Sequence, residues 1–123
     1  MEEKFRKLTE LMAEVTDIFH SLALLNWDQQ VYMPVGGTVE RGNMMATLGK
    51  IAHEKFTSDE MGQLISDLKK FLPELDADSE SYRIISVTAQ DYEKTIRIPA
   101  SFIMERARVT SNAQQAWMEA RSI

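Results

Sequence analysis

Apolar positions recur in steps of three and four from the start of the chain. Phe5, Leu8, Met12, Val15, Phe19 and Leu22 form one stripe, and Leu11, Ile18 and Leu25 widen it. Glu3, Lys7, Glu10, Glu14 and Asp17 fall mostly outside it. This is the pattern of a helix with one broad buried face. No glycine or proline occurs before Pro34, so the spacing predicts an unusually long helix from about Glu2 to about Val31. It must end near Met33-Pro34-Val35-Gly36-Gly37, because proline disfavours helix at the residue before it and two glycines release the chain into a turn.

Thr38 can cap a second helix through Met45, Leu48, Ile51, Ala52 and Phe56. Gly42 and Gly49 lie on its pattern, weaken it, and suggest close helix-helix approach. A third helix should start at Thr57-Ser58-Asp59-Glu60, with Thr57 or Ser58 as cap and Glu60 three after Thr57 as in a capping box. Its apolar face is Met61, Leu64, Ile65 and Leu68, and Pro73 closes it. A fourth helix begins at Asp78 or Ser79 and runs through Tyr82, Ile85, Ala89, Tyr92 and Ile96 to about Arg97. Pro99 suits the first turn of a fifth, where its missing N–H costs nothing. That helix is expected to bury Phe102 or Ile103, Ala107, Thr110, Ala113 or Gln114, and Trp117. No segment alternates with period two. The fold class is therefore all-α, with about five helices, the long first one packed in an antiparallel helical hairpin or bundle. A chain of 123 residues fits a single helical domain over 1–123.

Charge and composition narrow the function classes. The formal net charge of -5 argues against nucleic-acid binding, which rests on a basic face, and against adhesion to anionic lipid. There is no cysteine, so disulfides, thiolate metal sites and cysteine nucleophiles are excluded. No apolar run approaches a membrane span, and the opening MEEKFRKLTE has no apolar centre like that of a secretory signal, so a cytoplasmic location is expected.

Candidate chemistry is thin. Residues 53–57 read HEKFT, which begins like the helical zinc motif HExxH but has Thr57 where the second histidine belongs. The only other histidine, His20, lies in a different helix. A small metal-binding protein using His20, His53 and a carboxylate is one reading, and a helix-end histidine near the negative pole of the helix dipole is the simpler one. Asp76-Ala77-Asp78-Ser79-Glu80 starts like a calcium loop but continues with Ser81 and Val87 where glycine and a bidentate glutamate are required. Gly36-Gly37 lacks the continuation of a phosphate loop, and no serine stands in a nucleophile motif. Asp28, next to Trp27 near the end of a long apolar helix, needs a partner, and Arg41 can supply it in an ion pair that pins the hairpin. A Trp27 ring buried at that turn would cost roughly 3–5 kcal/mol on truncation to alanine. Taken alone, the residues describe a helical domain with no visible active site.

One ordered series of motifs resembles a known family. Leu24-Leu25-Asn26-Trp27-Asp28-Gln29, Tyr32-Met33-Pro34 with Gly36-Gly37, and Arg41 resemble the opening of the Taq-type thermostable metallocarboxypeptidases. Ala46-Thr47-Leu48 with Ile51-Ala52-His53-Glu54 resembles that family's second helix. Asp91-Tyr92-Glu93-Lys94-Thr95 with Arg97-Ile98-Pro99, and Gln114-Gln115-Ala116-Trp117 with Glu119-Ala120-Arg121, are similar to later segments. The resemblance covers essentially the whole chain, in order.

What it implies is an N-terminal helical region of a longer, wholly helical enzyme that releases C-terminal amino acids from peptides. The family's HExxH lies further along, beyond this chain, so HEKFT is read as ordinary helix. The expectations are accordingly no catalytic, cofactor-binding or metal-binding residue in this chain, no cofactor of its own, and zinc or cobalt in the full-length enzyme. The chain would wall and cover the substrate groove, be inactive alone, and meet peptide substrate only in the full-length enzyme. The pattern still reads as helix at Arg121-Ser122-Ile123, as in a piece of something longer. Its expected partners are the missing catalytic part or a second copy, and a stand-alone helical interaction module is the alternative.

Overall fold

The structure is a computed structural model that describes residues 1–122. Among the described residues it is all-helical: α1 (Glu2–Val31), a 3₁₀ turn (Val35–Gly37), α2 (Thr38–Phe56), α3 (Asp59–Lys69), a second 3₁₀ turn (Leu72–Glu74), α4 (Glu80–Thr95) and α5 (Ala100–Ser122). Ile123, the last residue of the C-terminal helical pattern, lies outside the described residues. The expected bounds of α1 are met at both ends.

One start differs from expectation, and at another one of the two expected caps is used. Thr38 does not cap α2: the 3₁₀ turn before it feeds directly into the helix, Thr38 is itself helical, and its Oγ1 is buried without a hydrogen-bond partner. At α3, Ser58 rather than Thr57 is the cap, and its Oγ accepts from the Met61 amide at 3.2 Å. The register is thus one residue later than a Thr57–Glu60 capping box requires. Ser79 caps α4 in the same way, accepting from the Tyr82 amide at 3.2 Å.

The chain forms two compact units, unit 1 of Met1–Val15 with Glu54–Ile98, and unit 2 of Thr16–His53 with Pro99–Ile123. Unit 1 has a conventional core. Leu8 and Val15 of α1, Phe56, Met61, Ile65 and Leu68 of the α2 end and α3, and Ile85 and Ala89 of α4 are buried together. Phe5, Leu11, Met12, Leu72, Leu75 and Tyr92 pack around them. The Phe56 and Tyr92 rings meet at 6.2 Å, a favourable tilted contact. Its surface carries ion pairs, Lys55–Glu14 at 3.0 Å and Lys4–Asp67 at 2.9 Å among them.

In unit 2 the apolar stripes read from sequence are partly displaced. Phe19 of α1 stands in solvent, while Ile18, Leu22 and Leu25 turn inward. On α5 the inward positions are Ile103, Met104, Ala107, Ser111, Gln114 and Met118. Phe102, Thr110, Ala113 and Trp117 are exposed. The physical reason is that the inward face of α5 mixes Ile103, Met104 and Met118 with the small or polar Ala107, Ser111 and Gln114, while the aromatic Phe102 and Trp117 lie on its other side.

Candidate functional site

Asp28 and Gln29 of the Trp27-Asp28-Gln29 segment take part in the polar anchoring of unit 2. Asp28 Oδ2 accepts from Arg41 Nη2 at 2.8 Å, and Arg41 Nη1 donates to the Leu25 carbonyl, also at 2.8 Å. The guanidinium thus clamps the last turns of α1 to the start of α2, as the sequence suggested. The Arg41 side chain is 14% exposed and that of Asp28 34%, so the pair is partly desolvated rather than a surface bridge.

Gln29 is 2% exposed. Its Nε2 donates to both the carbonyl and the Oγ of Ser111, each at 2.9 Å, tying α1 to α5. Close helix approach makes this reach short. A Cβ built on Gly42 would lie 3.6 Å from the Ser111 side chain, and one on Gly49 only 3.2 Å from Ile103 Cγ2. Arg108 on α5 donates to Asn43 on α2 at 3.1 Å. Gln29 Oε1, Thr38 Oγ1 and Arg41 Nε are buried without a hydrogen-bond partner among the described residues.

Sequence reasoning missed Gln29 and Ser111. A signal was present: Gln29 continues the inward series Ile18, Leu22, Leu25 at helical spacing, and Ser111 continues Met104 and Ala107. A polar residue on a buried stripe needs a partner, and two such residues can be each other's.

The other face of α2 carries a shallow depression of about 430 Å³ lined by Asn43, Met44, Thr47 and Leu48. It has no titratable group and no nucleophile beyond the Thr47 hydroxyl. Trp27 is 51% exposed, its ring edge-on to Tyr32 at 5.4 Å. On α5 the Arg121 guanidinium sits 4.9 Å from the Trp117 ring centroid, a cation–π contact.

Among the described residues no group of three or more His, Asp or Glu could hold a metal ion. His20 is exposed on α1, and His53 is half-buried near the end of α2 with Thr57 one turn on. These residues do not fit a catalytic metal, which needs three protein ligands around an open position.

The comparisons with known proteins decide the family. The model for carboxypeptidase Taq (M32) metallopeptidases matches residues 7–123. The chain belongs to this family. It is 28% identical to thermostable carboxypeptidase 1 of Thermus thermophilus over 120 residues, covering 98% of this chain and 24% of that protein. It is 30% identical to thermostable carboxypeptidase 1 of Pyrococcus furiosus over 128 residues, covering 99% of this chain and 25% of that protein. A solved structure described as "The Structure of CHT" superposes with a TM-score of 0.72 at 37% identity, covering 98% of this chain and 24% of the other. The chain therefore spans about a quarter of the length of the M32 relatives it matches, and corresponds to an N-terminal part of the family.

Proposed function

We propose that this chain is the groove-wall and lid region of a metal-dependent carboxypeptidase that releases C-terminal amino acids from peptides. The observation that carries the reading is the family match over residues 7–123. It is supported by relatives named as carboxypeptidases, whose length is about four times the matched part. The role assigned here is mechanical. Long helices held in register by Asp28–Arg41 and Gln29–Ser111 make a stiff wall, suited to limiting how much peptide can enter a groove.

The metal and its ligands belong, in this proposal, to the remaining part of the enzyme, with zinc or cobalt as the ion, and no chemical step is assigned to residues of this chain. The setting is the cytoplasm. The acidic net charge of -5 and the lack, among the described residues, of a helix long and apolar enough to cross a membrane are consistent with that.

The test is a carboxypeptidase assay on N-blocked dipeptides and longer peptides, with zinc or cobalt added. The isolated 123-residue chain is expected to show no turnover, and a polypeptide of the relatives' length containing it is expected to be active. Turnover by the isolated chain would overturn the reading. A second reading, a stand-alone module that pairs with another copy, draws on the large apolar side chains that unit 2 turns outward. Sedimentation showing a strict monomer at high concentration would remove it.

A further inference from the structure

Two helices of unit 2 carry two opposed faces. At about 100° per residue, Leu24, Trp27 and Val31 of α1 lie opposite the inward Leu22, Leu25 and Gln29. By the same geometry Phe102, Val109 and Trp117 of α5 lie opposite the inward Ala107, Ser111 and Met118. The six outward residues are all at least half exposed, from 51% at Trp27 to 65% at Leu24. The inner faces carry apolar side chains too, Leu22, Leu25, Ile103, Met104 and Met118 among them, so each of these helices offers large apolar residues on two opposed sides. A helix that offers apolar surface on both sides is suited to the inside of a layered helical protein. Exposed apolar surface of this kind marks a contact site.

What covers it can be argued from size. The solved relative keeps the fold of this chain over 98% of its length, and this chain accounts for only 24% of that one. About three-quarters of such a protein must pack against some surface. Unit 1 offers little for it: Met1, Val87, Ile96 and Ile98 are its exposed large apolar residues among those described.

We propose that the outward faces of α1 and α5 in unit 2 are the seat of the remaining part of a family carboxypeptidase, received as apolar helix-on-helix packing, while the outer surface of unit 1 stays in solvent. The proposal rests on the carboxypeptidase reading above and adds to it which residues of this chain face the rest of the enzyme.

The experiment uses the polypeptide as its own cells make it, with single substitutions Leu24→Cys and Val109→Cys in unit 2 and Val87→Cys in unit 1. All three positions are exposed in this structure, and the 123 residues contain no cysteine of their own. Alkylation at each site is followed by mass spectrometry of its peptide, with native mass and carboxypeptidase activity recorded on the same samples. The expected result is alkylation at Leu24→Cys and Val109→Cys at least about ten-fold slower than at Val87→Cys, since thiol reactivity follows access. Equal rates would overturn the proposal. So would protection in a species of twice 14.1 kDa, which would make a second copy the occupant. Activity without protection sinks the surface and leaves the peptidase reading. Protection within one longer chain that has no activity sinks the peptidase reading and leaves the surface.

Discussion

At the centre of unit 1 stand Leu8, Met61, Leu68 and Ile85, all without solvent contact beyond 1%. At the centre of unit 2 stand Gln29, Ala46, Gly49 and Ser111. The first unit gains its stability as globular domains ordinarily do, from apolar area taken out of water. The second adds close backbone approach and buried hydrogen bonds to its half-buried apolar residues, and leaves several large apolar side chains, Leu24, Trp27, Phe102 and Trp117 among them, on its outside. Two parts of one chain, with similar helical content, thus differ in what they need. Unit 1 carries a core of large buried apolar residues, whereas the fully buried positions of unit 2 are small or polar.

The sharpest way to break this contrast is to truncate one large apolar residue in each unit. Leu68→Ala should cost about 2–5 kcal/mol, because it empties a fully buried site. Trp27→Ala should cost no more than about 2 kcal/mol, since half of the ring's surface already meets water. Urea unfolding of both variants decides it, and equal costs would erase the difference between the units.

Next in size is a test of close approach in unit 2. Gly49→Leu should destabilise by about 1–3 kcal/mol, because even its Cβ would stand 3.2 Å from Ile103 Cγ2. A neutral result in thermal unfolding would mean that α2 and α5 are not held that tightly.

Gln29→Ala should cost about 1–2 kcal/mol, the loss of two buried hydrogen bonds to Ser111. Pairing it with Ser111→Ala in a double-mutant cycle should give a clearly non-additive total.

The smallest effect belongs to the surface of unit 1. The hydrogen bond from Lys4, followed by that from Gln63, holds the Asp67 carboxyl below its ordinary value. A carboxyl depressed in the folded state contributes stability that is present above its unfolded pKa and is lost as pH falls through the folded one. Asp67→Asn should therefore flatten the acid limb of the stability profile below about pH 4 and leave neutral pH little changed. Acid titration followed by circular dichroism reads this out, and an unaltered acid limb would remove Asp67 from the account.

Much of the architecture was legible in the residues because it rests on local chemistry. The absence of proline and glycine before Pro34 fixes the length of α1, and the serines before Asp59 and Glu80 mark two helix starts. The Asp28–Arg41 pair was legible because a charge at the end of an apolar helix has few ways to be satisfied. The inward face of α5 was legible only in part. Ala107 was expected there, and Ile103 and Gln114 as alternatives, but Ser111 was missed and Thr110 and Trp117 face the other way. Hydrophobic periodicity favours the largest residues, and the aromatic Phe102 and Trp117 point out of unit 2. Phe19 misleads for the same reason. The chemistry of the family could not be read at any single position, because the HE pair at His53-Glu54 lacks its second histidine. It was legible only in the ordered series of motifs.

The glycines carry a lesson for engineering. None of those described adopts a positive φ, so glycine is required at none of them by backbone shape. At Gly42 an added methyl would meet Ser111 at 3.6 Å, ordinary contact distance. An alanine there would relieve α2 of a helix penalty of up to about 1 kcal/mol without pushing α5 away. Gly42→Ala is thus the simplest route to a hardier scaffold: a single methyl that raises the melting temperature of unit 2 and leaves its outward faces as they are.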